Sequence, residues 1–72
     1  MPRFTVIDNE NSDWVYEVDA ATFRAAAIHQ AQRDYETCGR MTSDYNVTDG
    51  VQTKRFQITG TSAVVWCSEN VD

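Results

Sequence analysis

The sequence predicts an α+β fold: a five-stranded antiparallel sheet with one helix packed on one face, in the order β-β-α-β-β-β. Three observations carry that expectation. An alanine-rich stretch with apolar residues at helical spacing lies between two capping residues. Alternating segments rich in β-branched and aromatic residues flank it on both sides, and Asp49-Gly50 marks a tight turn between two of them. Seventy-two residues form a single domain, residues 1–72, in which a helix laid across one face of a sheet is the economical way to bury both.

Arg3 to Asp8 alternates and reads as the first strand. Asn9 to Asp13 is a polar turn, and Trp14 to Val18 returns as the second strand with Trp14, Tyr16 and Val18 on one face. Thr22 is a good N-cap, Asp19 lies just upstream of the positive helix end, and Ala25-Ala26-Ala27 follows. Phe23, Ala27, Ile28, Ala31, Tyr35 and Cys38 form the expected apolar stripe of a helix running from Thr22 to Cys38, with Gly39 as its C′ residue. Asp49-Gly50 then reads as a two-residue primed turn. That turn pairs Thr48 with Val51, Val47 with Gln52, Tyr45 with Lys54 and Asp44 with Arg55. Tyr45, Val47, Phe56 and Ile58 would share one face, while Asp44 and Arg55 would oppose each other on the other. Gly60-Thr61-Ser62 turns the chain into a last strand, Ala63 to Cys67, before a polar tail from Ser68 to Asp72.

Eleven acidic against six basic residues give a net charge of −5, which repels nucleic-acid phosphates and anionic membranes. Direct nucleic-acid binding is therefore not expected. Proteins that hold nucleic acid in basic grooves become the more plausible partners, although such a charge also simply keeps a small domain in solution. No apolar run reaches the ~20 residues of a membrane span, and the start of the chain meets acid at Asp8, so a cytoplasmic location and reduced Cys38 and Cys67 are expected.

Catalytic constellations are not legible. His29 is the lone histidine and falls opposite the apolar stripe, away from Cys38, which removes a Cys–His pair. Neither cysteine has zinc-type spacing, and the acidic run Asp8 to Asp13 lacks the central glycine of a calcium loop. No metal, cofactor or catalytic residue is assigned, and an enzyme is not expected. Trp14 and Trp66 read as core residues. The sheet face left open by the helix would carry Thr5, Ile7, Val15, Glu17, Thr53, Arg55 and one of Val64 and Val65. Such a face suits water, a binding partner or a second copy of the chain.

At the start of the helix the sequence runs Tyr16-Glu17-Val18-Asp19-Ala20-Ala21-Thr22-Phe23-Arg24-Ala25-Ala26, and it closes its last strand with Val65-Trp66-Cys67. This layout resembles small phage-encoded anti-CRISPR proteins, among them the ninth family of type I-F inhibitors, which also combine a five-stranded sheet with one helix. The chain departs from them in charge: its helix carries the mixed set Arg24, Arg33, Asp34 and Glu36. No contact residue is therefore carried over. The resemblance implies a non-enzymatic phage inhibitor, acting in the cytoplasm of an infected bacterial host, that binds a nucleoprotein machine and blocks nucleic-acid or subunit binding. Cas proteins of a CRISPR surveillance complex are the first expected partner and RNA polymerase the second. Asp8, Glu10, Asp13 and Glu17 are the candidate partner-binding residues, because acids there would meet a basic groove. A small structural domain, monomeric or self-associating as a homodimer, is the remaining alternative.

Overall fold

The structure, a computed structural model, describes residues 2–11 and 13–60 in full and residues 63–68 by their backbone. The chain is α+β, with one helix and an antiparallel sheet, as the sequence led us to expect. Its elements are β1 (Arg3–Asp8), β2 (Val15–Asp19), α1 (Phe23–Cys38), β3 (Thr42–Thr48), β4 (Thr53–Thr59) and β5 (Ala63–Ser68). Order across the sheet departs from order along the chain: it runs β2-β1-β3-β4-β5, every neighbouring pair antiparallel. β1 is therefore an interior strand, held against β3 in a register that sets Val6 opposite Val47 and Asp8 opposite Tyr45.

Both helix ends form where local chemistry places them. The Thr22 hydroxyl accepts a hydrogen bond from the Ala25 amide at 3.0 Å, satisfying one of the unpaired donors of the first turn. Gly39 closes the other end at φ 68, the left-handed conformation that glycine adopts at little cost, and its amide donates to the Tyr35 carbonyl at 2.8 Å.

The buried face of α1 is not the one the apolar residues mark. Ala26, Ala27, Gln30, Ala31 and Asp34 are buried, whereas Tyr35 and Cys38 are exposed. The helix is thus turned by about 60° from the expected stripe, a little over half a residue's step at 3.6 residues per turn. Three alanines with no exposed surface let its backbone lie close on Phe4, Val6, Val47, Phe56 and Ile58 of the sheet. At the N-terminal end the Phe4 and Phe23 rings meet at 4.8 Å between centroids, and the Lys54 ammonium stands 4.7 Å from the centre of the Phe23 ring.

The β3–β4 hairpin keeps its faces but not its register. Observed pairs are Thr48–Thr53, Val47–Lys54, Asn46–Arg55, Tyr45–Phe56 and Asp44–Gln57, two residues away from a tight Asp49-Gly50 turn. A type I′ turn needs positive φ at both central residues, and among the described residues no non-glycine adopts it. Asp49 instead accepts the amides of Val51 and Gln52 at 2.8 Å each, closing a four-residue loop with Gly50 at φ 98. A slip of two preserves parity, so Tyr45, Val47, Phe56 and Ile58 remain together in the core. Asp44 and Arg55 become diagonal neighbours rather than opposed ones, and still bond through Nε–Oδ1 at 3.0 Å and Nη2–Oδ2 at 2.6 Å. That pairing holds the Asp44 carboxyl below its ordinary pKa.

Trp14 is also displaced from its expected place. It precedes β2 and is 47% exposed, while Tyr16 and Val18 face the helix side. The side chains of Val64, Val65, Trp66 and Cys67, the turn at Thr61-Ser62 and the tail from Glu69 lie outside the described residues. Because Ala31 has no exposed surface, Ala31→Leu should push the helix off the sheet and destabilise the protein by roughly 1–3 kcal/mol. Urea denaturation followed by circular dichroism measures that loss, and an unchanged midpoint would mean the helix lies farther from the sheet.

Candidate functional site

Past Gly39 the chain places Arg40 beneath the C-terminal half of α1, where its guanidinium meets three carboxylates. Both terminal nitrogens bond Asp8, Nη2 lying 3.3 Å from Oδ1; Nη2 also bonds Glu10, and Nη1 approaches Asp34 Oδ2 at 3.8 Å. Asp34 accepts further bonds from the Tyr45 hydroxyl and from Gln30 Nε2, the latter at 3.1 Å. Asp8 has no exposed surface, and its Oδ1 also accepts the Glu10 amide at 2.8 Å. Every buried side-chain nitrogen and oxygen among the described residues has a partner.

This network shifts the groups within it. Burial, and then the bond to Asp34, push the Tyr45 phenol well above its ordinary value of 10.0. The bond to Asp8 raises Arg40 despite its partial burial. Tyr16 is raised by burial and then by the negative charges of Asp34 and Asp8.

Above the network lies a concavity of about 670 Å3. The β1–β2 turn supplies Glu10, Asn11 and Trp14 on one side; Arg33, Thr37 and Cys38 of α1 form the other; Tyr16, Gln30, Asp34 and Arg40 lie between. The turn is closed by the Asn11 side chain and by backbone bonds. The Asp13 amide donates to Asn11 Oδ1 at 3.2 Å, the Trp14 amide to the Asn11 carbonyl at 2.9 Å, and the Asp8 amide to the Trp14 carbonyl at 3.0 Å. These bonds set Trp14 at the groove's edge instead of in the core.

The four acids nominated from the sequence separate. Asp8 is internal and committed to Arg40, which corrects its assignment as a contact residue: a carboxylate with no exposed surface has no face to offer a partner. Glu10 bonds Arg40 but keeps 61% of its side chain exposed, at the groove. Asp13 is exposed on the same turn. Glu17 is on the open sheet face, 3.8 Å from Arg3, which also bonds Asp19 at 3.2 Å. Trp14, Tyr16, Asp34 and Arg40 line the concavity but were not among the candidates read from the sequence. Trp14 could have been suspected from its position beside the polar turn, but the meeting of Asp34 with Arg40 and Tyr45 carries no local signal.

The open face carries Thr5, Ile7, Val15, Glu17, Thr53 and Arg55 as expected, with Asn9 Nδ2 bonded to Asp44 at 2.8 Å and to Asn46 at 3.1 Å. His29 is exposed on α1. No helix among the described residues is long and apolar enough to cross a membrane. No protein-family model, curated protein or solved structure matches the chain.

Removing Arg40 should leave buried Asp8 uncompensated. Arg40→Met is expected to cost roughly 3–5 kcal/mol, and adding Asp8→Asn should recover much of it. Chemical denaturation of both variants checks this, and additive losses would contradict the pairing. A second expectation concerns alkali. Because the folded state holds the Tyr45 proton more tightly than the unfolded chain, that contribution is complete below pH 10 and is lost as pH rises beyond it. Tyr45→Phe should flatten the fall in stability above pH 10 by about one proton, or up to about 1.4 kcal/mol per pH unit. Denaturation midpoints from pH 8 to 11.5 read the slope, and identical slopes would refute the assignment.

Proposed function

We propose that this chain is a non-enzymatic binding protein that docks on a nucleic-acid-handling protein machine and blocks its nucleic-acid or subunit site. The observation that carries this reading is Trp14. A large aromatic ring, 47% exposed in a chain with few residues to spare for its core, stands at the edge of a groove and on a turn that also presents Glu10 and Asp13. Exposed indoles ringed by polar groups are what protein interfaces use as anchors. The acids beside it, within a chain of net charge −5, favour a basic partner surface and speed the encounter with it. The buried carboxylates of the groove floor are already bound by Arg40, Tyr45 and Gln30, which supports a structural rather than a catalytic role for them.

Among machines with basic nucleic-acid channels, a CRISPR surveillance complex is the first target, in keeping with the layout resemblance, and RNA polymerase is the second. The decisive test uses purified complexes. The protein should lower the affinity of the surveillance complex for its DNA target, and Trp14→Ala should weaken that inhibition by at least about tenfold, while Val51→Ala, on the distant β3–β4 loop, leaves it intact. Inhibition of transcription but not of DNA targeting would select RNA polymerase. Loss of neither activity at saturating protein would dismiss both targets, and inhibition indifferent to Trp14→Ala would move the interface away from the groove.

A further inference from the structure

We propose that the groove receives an arginine side chain presented by the partner protein, its guanidinium lying against the Trp14 and Tyr16 rings and neutralised by Glu10. This inference rests on the docking role given to Trp14 above and names what that site recognises.

The groove has the size for it. About 670 Å3 between the β1–β2 turn and the C-terminal half of α1 accommodates an arginine arm and the backbone that carries it. Its walls are suited as well. Trp14 and Tyr16 both line the groove, and a planar guanidinium stacks on aromatic rings better than a compact ammonium does.

Charge selects a cation. Asp8, Glu10 and Asp34 converge on the single guanidinium of Arg40, and with Arg33 at the lip the balance is three negative charges against two positive. The effect reaches the aromatic wall: after burial, the charges of Asp34 and Asp8, ahead of Cys38, raise the Tyr16 phenol.

Acceptor capacity is unequal around the cluster. Both oxygens of Asp8 and both of Asp34 are engaged. Glu10 bonds Arg40 through Oε2, and with 61% of its side chain exposed it has Oε1 to offer a second donor. One carboxylate bridging two guanidinium groups, one from each partner, closes the balance locally. A phosphate or carboxylate would meet net repulsion from this excess of carboxylates, and an aliphatic side chain would leave Glu10 Oε1 without a donor.

The experiment follows the indole Nε1–H signal of Trp14, assigned with the help of Trp66→Phe, in 15N-labelled protein. Three blocked tripeptides, Gly-Arg-Gly, Gly-citrulline-Gly and Gly-norleucine-Gly, are titrated in. Citrulline keeps the planar shape of arginine and lacks its charge. The arginine peptide should give a saturable shift at Trp14, the citrulline peptide should bind about tenfold or more weakly, and Glu10→Gln should remove most of that difference. Equal binding of arginine and citrulline, or tighter binding of norleucine, overturns the arginine assignment and leaves Trp14 docking in place. Silence from all three peptides overturns the assignment and the groove as a docking site together.

Discussion

Much of this structure depends on one guanidinium. Arg40 follows the glycine that ends α1 and precedes β3, and its bonds to Asp8 fix the helix end to the interior strand β1. Asp8 lies opposite Tyr45 in the β1–β3 register, and Tyr45 in turn donates to Asp34 on the helix. Strand register, helix rotation and the connection between them thus meet in one closed set of bonds. A slip of one residue between β1 and β3 would carry Asp8 to the open face and leave Arg40 beneath the helix without it. Buried ion pairs add little net stability compared with apolar groups, because both charges must leave water. What this one supplies is discrimination: wrong registers and wrong helix rotations abandon a charge in the interior.

The helix divides the molecule accordingly. Near its start, Phe23 packs on Phe4 with Lys54 laid over the ring, and the contact is mostly apolar. Its middle is alanine, which brings backbone close to sheet. Toward its end Gln30 and Asp34 are buried beside Ala31, and the interior becomes more polar. A groove can form at that end because a hydrogen-bonded floor tolerates nearby water, whereas an apolar core of this size would lose its burial if opened. The polar network and the exposed Trp14 are therefore consequences of the same arrangement.

The parts that were legible in the sequence are the parts decided within a few residues. Thr22 and Gly39 bound the helix through contacts three or four positions away, and alternation fixed which strand residues face the core. The hairpin register failed because two local devices compete for Asp49-Gly50, and the aspartate carboxylate, by accepting two downstream amides, widened the loop. The helix rotation failed for another reason. Ranking residues by hydrophobicity places Tyr35 and Cys38 inward and Asp34 outward, yet burial of Asp34 is made possible by Tyr45, eleven residues on, and is supported by Arg40 across the end of the helix. The position of β1 between β2 and β3 depends on pairs about forty residues apart, for which a single sequence holds no local signal.

The same distinction governs how charge operates here. Reading acids from the sequence gives one population, but the fold makes two. Asp8 and Asp34 are inside and spend their charge on Arg40 and on neutral donors, so they shape the groove from beneath. Glu10, Asp13 and Glu17 remain outside, where each can be seen by an approaching cation. Distant attraction depends on net charge, and an internal ion pair contributes almost nothing to it. On the proposed docking role, the surplus of exposed carboxylates would govern arrival and the groove would govern what stays. Glu10 belongs to both populations, since it bonds the buried guanidinium and still faces water.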